Sequence, residues 1–255
     1  MRKSIIILLG VLFIVSLVSC TTRAQFNDSL DLPSAHNAQN YTFEDPDIIA
    51  YVNGHPVLET EMNQYIEMKK VYLNELANLD FELNSEESLI EFGINVYDQF
   101  NIQRARLMMS YQEEDWKNEY YKAIVILDEY YNLAEPMIDA YDYIIKMADE
   151  EVSIALGKYT DNSAFENDIS IDLKSVNQIV AEKLGLTVEE CGKTAFRDFW
   201  IFEHAFRFLM SLKLDDLDYN ESKLRENDSY YLILIETNYN YLDSLFEQAE
   251  IVERP

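Results

Sequence analysis

Ala50-Tyr51-Val52-Asn53-Gly54-His55-Pro56-Val57-Leu58-Glu59-Thr60-Glu61-Met62 is the stretch from which the fold can be read. A short apolar run, Ile48 to Val52, meets Asn53-Gly54, two residues that tolerate positive φ, and is followed by the apolar Pro56-Val57-Leu58. That pattern predicts a tight turn between two very short extended pieces. A helix follows at once, with Thr60 as the expected N-cap and Glu61 in its first turn. Met62, Tyr65, Ile66, Met68/Lys69 and Tyr72/Leu73 then repeat at helical spacing to about Leu79.

Working outward, the rest of the chain reads as helix almost throughout. Ser85 is the expected cap of a segment in which Leu89, Phe92/Gly93, Val96, Phe100, Gln103/Arg104 and Leu107 recur at steps of three and four. Trp116, Tyr120, Ile124, Leu127 and Tyr131 fall on one face of its continuation, with Glu113, Lys117, Lys122 and Glu129 largely off it. Pro136 suits the first turn of a further helix, and Gly157 to Asp168 reads as a polar connection. Ile171 to Leu184 is the next helix, closed by Gly185, and Thr187 opens another. Glu221 to Glu250 is the expected last helix, packing back on the body; a protruding arm for partner contact is the other reading of it. The fold class that follows is all-α, with six to eight helices and one short hairpin at the start.

The Ala50–Met62 stretch resembles the opening of the SurA-type extracytoplasmic chaperone domain. Met147 to Ala155 resembles that family's helix opening with an acidic cap. Ile179-Val180-Ala181-Glu182-Lys183-Leu184-Gly185-Leu186-Thr187-Val188-Glu189-Glu190 resembles the junction ahead of its long aromatic helix. The likeness spans about Asp47 to Leu217 with a poorly matching middle, unusually rich in tyrosine from Tyr111 to Tyr143. It implies a helical, chaperone-like module that binds unfolded or partly folded exported proteins. The parvulin isomerase domain of some family members needs glycine-rich loops and a histidine-based pocket. This chain has six glycines and three histidines, so isomerase activity is not implied.

The first residues carry a different signal. Arg2-Lys3 precede an apolar run from Ile5 to Val18, too short for an ordinary membrane span and suited to a signal peptide. Leu17-Val18-Ser19-Cys20 resembles the lipobox of bacterial lipoproteins, in which the chain is cleaved before the cysteine and lipid is attached to its sulfur. Residues 1–19 are therefore expected to be a signal peptide, Cys20 the lipid attachment site, residues 20–46 a flexible tether and residues 47–255 the helical domain. A tether of about 25 residues reaches roughly 25–30 Å. With Cys20 lipidated, Cys191 is the single remaining thiol, and its neighbours give no reason for a depressed pKa; it reads as a small, semi-buried hydrophobe.

Composition sets the partners. Acidic side chains number 47 against 20 basic, a net charge of −27, which argues against a nucleic-acid surface. Such a body also stands off anionic headgroups, and loss of Arg2 and Lys3 with the leader would make it more acidic still. Hydrophobic residues reach 48% and glycine and proline number 6 and 5, so disordered and collagen-like classes are excluded.

The densest aromatic run, Phe196, Phe199, Trp200, Phe202, Phe206 and Phe208, is apolar on more than one side of its helix. Phe199, Phe202 and Phe206 are expected in the core. Trp200 and Phe208, with Tyr120 and Tyr131 of the earlier stripe, are the candidate client-binding residues, Trp200 being expected at the surface. Asp216-Leu217-Asp218-Tyr219-Asn220 imitates half a calcium loop, but Glu221 and Asn227 stand where the loop needs Gly and Glu. His204 lacks a second histidine at metal-ligand spacing and is expected to be a hydrogen-bonded structural residue. No cofactor, metal or catalytic set is expected. The two functional expectations are transient, ATP-free holding of exported polypeptides and, as the alternative, a lipoprotein adaptor for one specific envelope protein.

Overall fold

The computed structural model describes residues 41–79, 89–156, 171–216 and 228–255. It is all-α with a small sheet. Strands β1 (Ile48–Val52) and β2 (His55–Leu58) lead into helices α1 (Glu59–Ala77), α2 (Leu89–Met108), α3 (Glu113–Ala134) and α4 (Ala140–Ala155). Then come α5 (Leu173–Leu184), α6 (Val188–Lys193), α7 (Ala195–Asp216), α8 (Asp228–Gln248) and strand β3 (Ile251–Glu253). Ser85, the Gly157–Asp168 connection, the signal peptide and Cys20 lie outside the described residues, as does nearly all of the calcium-like segment.

The Asn-Gly turn forms as its residue types require, with φ of 50° at Asn53 and 87° at Gly54. Asn53 also fastens the turn to distant parts of the chain. Its Nδ2 donates to Asp128 of α3 at 3.1 Å, its Oδ1 accepts from the Glu250 amide at 3.0 Å, and its own amide donates to the Glu250 carbonyl at 2.8 Å. Those contacts align β3 beside β1, so the sheet order is β2-β1-β3, antiparallel throughout. The sequence reading places no strand after Leu58; β3 is a correction, formed by three residues that pair with β1 beside the Asn53 contacts. Of the expected last helix, 221–250, residues 221–227 lie outside the described residues; α8 is described from Asp228 and ends at Gln248, two residues before the expected end.

Three local expectations are also corrected. Helix α1 begins at Glu59, so Thr60 is not its N-cap. Leu58 holds that position without a side-chain cap, and Asp47 instead accepts from the Thr60 amide and hydroxyl. Pro136 sits in the turn after α3 rather than in the first turn of a helix; α4 starts four residues later under Asp139, which accepts from the Asp142 amide. Residues 41–46, expected in the tether, pack on the sheet. Tyr41 and Phe43 lie against the Tyr51 ring, and the Arg254 guanidinium donates to the carbonyls of Phe43, Asp45 and Pro46 at 2.6–2.8 Å.

Other signals act where the residues place them. Gly185 ends α5 in the left-handed region at φ 66°, and Thr187 with Glu190 forms a reciprocal capping box on α6. The chain breaks at Thr194 before the aromatic helix α7 begins. Helix α7 is the axis of the molecule, packed against α1, α3 and α4, while α8 lies across α2 and α3 and touches α7. Tyr65, Tyr121, Tyr130, Phe196, Phe199 and Leu209 are among the largest fully buried side chains, so aromatic rather than aliphatic volume fills the centre.

Candidate functional site: the aromatic centre and the ionic cavity under the last helix

The four candidate client-binding residues do not form one surface. Trp200 is 3% exposed, wedged edge-on against Phe196, Phe199 and Tyr72. Tyr120 is 5% exposed and packs against Tyr65 and Phe202. Both belong to the core, which corrects the surface expectation for Trp200. The residue faces inward because α7 is covered on three sides, a fact of tertiary packing that helical spacing alone does not contain. Phe208 and Tyr131 are partly buried and meet around Tyr130, at ring-centroid distances of 5.0 and 5.3 Å. Phe199 and Phe202 are buried as expected, and Phe206 is partly buried against the core.

Beneath α8 lies a cavity of about 40 Å³, room for a water molecule or little more. Its lining mixes charged and apolar groups. Glu119, 5% exposed on α3, is approached by Lys69 of α1 at 3.3 Å, Arg104 of α2 at 3.7 Å and Lys122 at 3.9 Å. Burial would push the Glu119 carboxyl up, but the three cations, Lys69 foremost, together hold it below the ordinary carboxylate range. Lys69 also donates to the Tyr65 hydroxyl at 3.0 Å. The α8 side of the cavity supplies Tyr239, Leu242 and Asp243. Arg104 donates to the Tyr239 hydroxyl at 3.1 Å and lies over its ring, and Lys122 pairs with Asp243 at 2.7 Å. Ala123, Ile126, Phe202 and Phe206 are the apolar part of the lining, with the Arg104 guanidinium also over the Phe206 ring.

Sequence reasoning missed this cluster. Lys122 stands three residues from Glu119 on α3, a spacing the sequence does carry, but Lys69 and Arg104 come from α1 and α2, and no local spacing connects those two to the carboxylate.

Two further polar groups are buried. Asp198, partly buried at the start of α7, has its carboxyl pushed up to about 7 by burial and by the charge of Glu61, with Arg197 opposing. His204, 7% exposed, is depressed to about 3 by burial and by Arg207. Its Nε2 stands 3.8 Å from a Glu151 oxygen and makes no hydrogen bond, nor does the buried Nε1 of Trp200. The expected hydrogen-bonded histidine is thus corrected at this nitrogen to a neutral, solvent-excluded one. Burial pushes the Cys191 thiol up to about 11, which leaves it a poor nucleophile.

Apolar side chains do reach solvent elsewhere. Leu133, Met137 and Ile138 are 37, 57 and 36% exposed at the turn leaving α3, and Leu107 and Met109 are exposed at the end of α2. Among the described residues no cluster of metal-ligating side chains occurs, and no helix is long and apolar enough to cross a membrane. Compared with known proteins, the chain matches no family model, no curated protein and no solved structure.

Proposed function

We propose that the chain is a lipid-anchored extracytoplasmic protein that holds exported polypeptides transiently, without isomerase activity. The observation that carries the reading is the chain order itself: a lipobox-like Cys20, then an Asn-Gly hairpin feeding directly into the first helix of a helical body. Exposed Leu133, Met137 and Ile138 offer adaptable apolar contact, since methionine conforms to irregular partners. The acidic exterior draws basic clients at long range.

The adaptor reading gains from one observation, the sealing of Trp200 and Tyr120 into the core, which takes two of the four candidate client-binding residues off the surface. The test is suppression of aggregation of several unrelated unfolded proteins by the soluble body, alongside Cys20→Ala in cells. Holding requires suppression across substrates, with Cys20→Ala accumulating as an unprocessed precursor. Capture of one envelope protein with no general suppression would establish the adaptor instead.

A further inference from the structure

The turn between α3 and α4 is held from inside and bare outside. Ala134 and Ala140, at the two helix ends, are fully buried, and the buried Tyr130 donates to the Ala140 carbonyl at 2.9 Å. The Ala134 carbonyl accepts from the amides of Met137 and Ile138 at 2.8 and 3.0 Å. A turn fixed in this way keeps Leu133, Met137 and Ile138 on the outside. Grouped apolar side chains at a surface mark contact sites, and a backbone already fixed adds little ordering cost when a partner arrives. Carboxylates interleave with the apolar groups. Glu135, Asp139 and Asp142 are exposed, and among the described residues none of them is in an ion pair. No Lys, Arg or His stands between Lys122 and Lys146. The Tyr130 hydroxyl is raised by burial first, then by Tyr131, Tyr143 and the charges of Glu135 and Asp139, which places both carboxylates around one buried ring. A second exposed pair, Leu107 and Met109, has the opposite setting, with Arg104 and Arg106 just before it in α2.

We infer that the α3–α4 turn is the docking site for the client, and that it recognises a segment in which lysine or arginine flanks a short apolar run. The inference rests on the holding function proposed above and says which part of a client is held. Apolar side chains of the segment cover Leu133, Met137 and Ile138, while its cations meet Glu135 and Asp142, giving the apolar centre and polar rim of a protein contact. The apolar cover supplies most of the affinity, and the charges set encounter rate and choice of partner. A second copy is the poorer occupant. Two chains of charge −27 joined through this turn would set the same carboxylates against each other.

The experiment uses the full chain in mild detergent and a fluorescent peptide with a Leu-Phe-Leu centre between paired lysines, read by anisotropy against a protein-free blank. A second peptide carries glutamates in place of the lysines. Saturable binding of the lysine peptide is expected, about tenfold tighter than that of the glutamate peptide. Leu133→Ser with Met137→Ser should weaken the lysine peptide about tenfold, and Glu135→Lys with Asp142→Lys should reverse the order of the two peptides. Leu107→Ser with Met109→Ser should leave both affinities unchanged. The substituted side chains are exposed, so melting curves should stay near that of the unmodified chain, and the comparison of the two peptides on that chain needs no variant. No binding, equal affinity for the two peptides, or the same loss in the Leu107 and Met109 variant overturns the site. If suppression of aggregation of unrelated proteins persists in that case, the holding function stands without this site; if suppression is absent too, both fall. A concentration-dependent dimer that the Leu133 and Met137 variant abolishes would give the turn to a second copy and overturn the client reading.

Discussion

Asp198 and His204 give α7 opposite responses to pH. The Asp198 carboxyl is raised from an ordinary value of 3.8 to about 7, so its folded form favours the proton. The stability this contributes is complete below the unfolded value and is lost as pH rises through 7. His204 is lowered from 6.5 to about 3, so its contribution is present above 6.5 and is lost as pH falls toward 3. Asp198→Asn, which fixes the neutral form, should flatten the alkaline limb of a plot of melting temperature against pH and leave the acid limb in place. Both limbs unchanged would show that Asp198 ionises freely in the fold. Trp200→Ser tests the core at the same scale. With the side chain 3% exposed, truncation should cost about 3–5 kcal/mol and lower the melting temperature by roughly 10 °C, measured by calorimetry. A wild-type melting curve would return Trp200 to the surface. Residue identity was legible in the sequence in these cases and residue environment was not. Periodicity finds which side chains share a face, whereas α7 is covered on several faces at once.

At the scale of elements, the signals that proved readable were those whose physics is local. Asn53-Gly54 and Gly185 adopt positive φ because their own backbones allow it, and Thr187 and Glu190 satisfy each other across one turn. Gly185→Ala should cost about 1 kcal/mol, read as a shift in urea midpoint. An added Cβ there meets nothing within 4 Å, so the cost is conformational alone. A much larger loss would reveal a packing role. The elements that escaped the sequence depend on distant partners. Ile251–Glu253 is too short to alternate and becomes a strand only beside β1. Asp47 takes over the start of α1 from a position twelve residues before Glu59. The Glu119 cluster draws on α1, α2 and α3 together. Even Pro136, a residue at home in a first helical turn, was decided by Asp139, a stronger cap three residues on.

At the scale of the whole molecule, a charge of −27 on a closed helical body makes self-repulsion a standing cost. Screening length falls from ~30 Å at 0.01 M salt to ~10 Å at 0.1 M. The melting temperature of the soluble body should therefore rise by several degrees across that range. A fall would mean that its ion pairs outweigh the repulsion. The Arg254 clip has a mechanical meaning. The guanidinium holds Phe43, Asp45 and Pro46 while β3 lies along β1, so the segment entering the body and the segment finishing it leave from one corner. Traction on the chain ahead of Tyr41 then loads the Arg254 clip first, and next Asp47, which ties the entering segment to the start of α1, before it reaches the β1–β3 ladder. Force applied at that end would be shared between the corner of the sheet and the first turn of α1, with the rest of the bundle behind them.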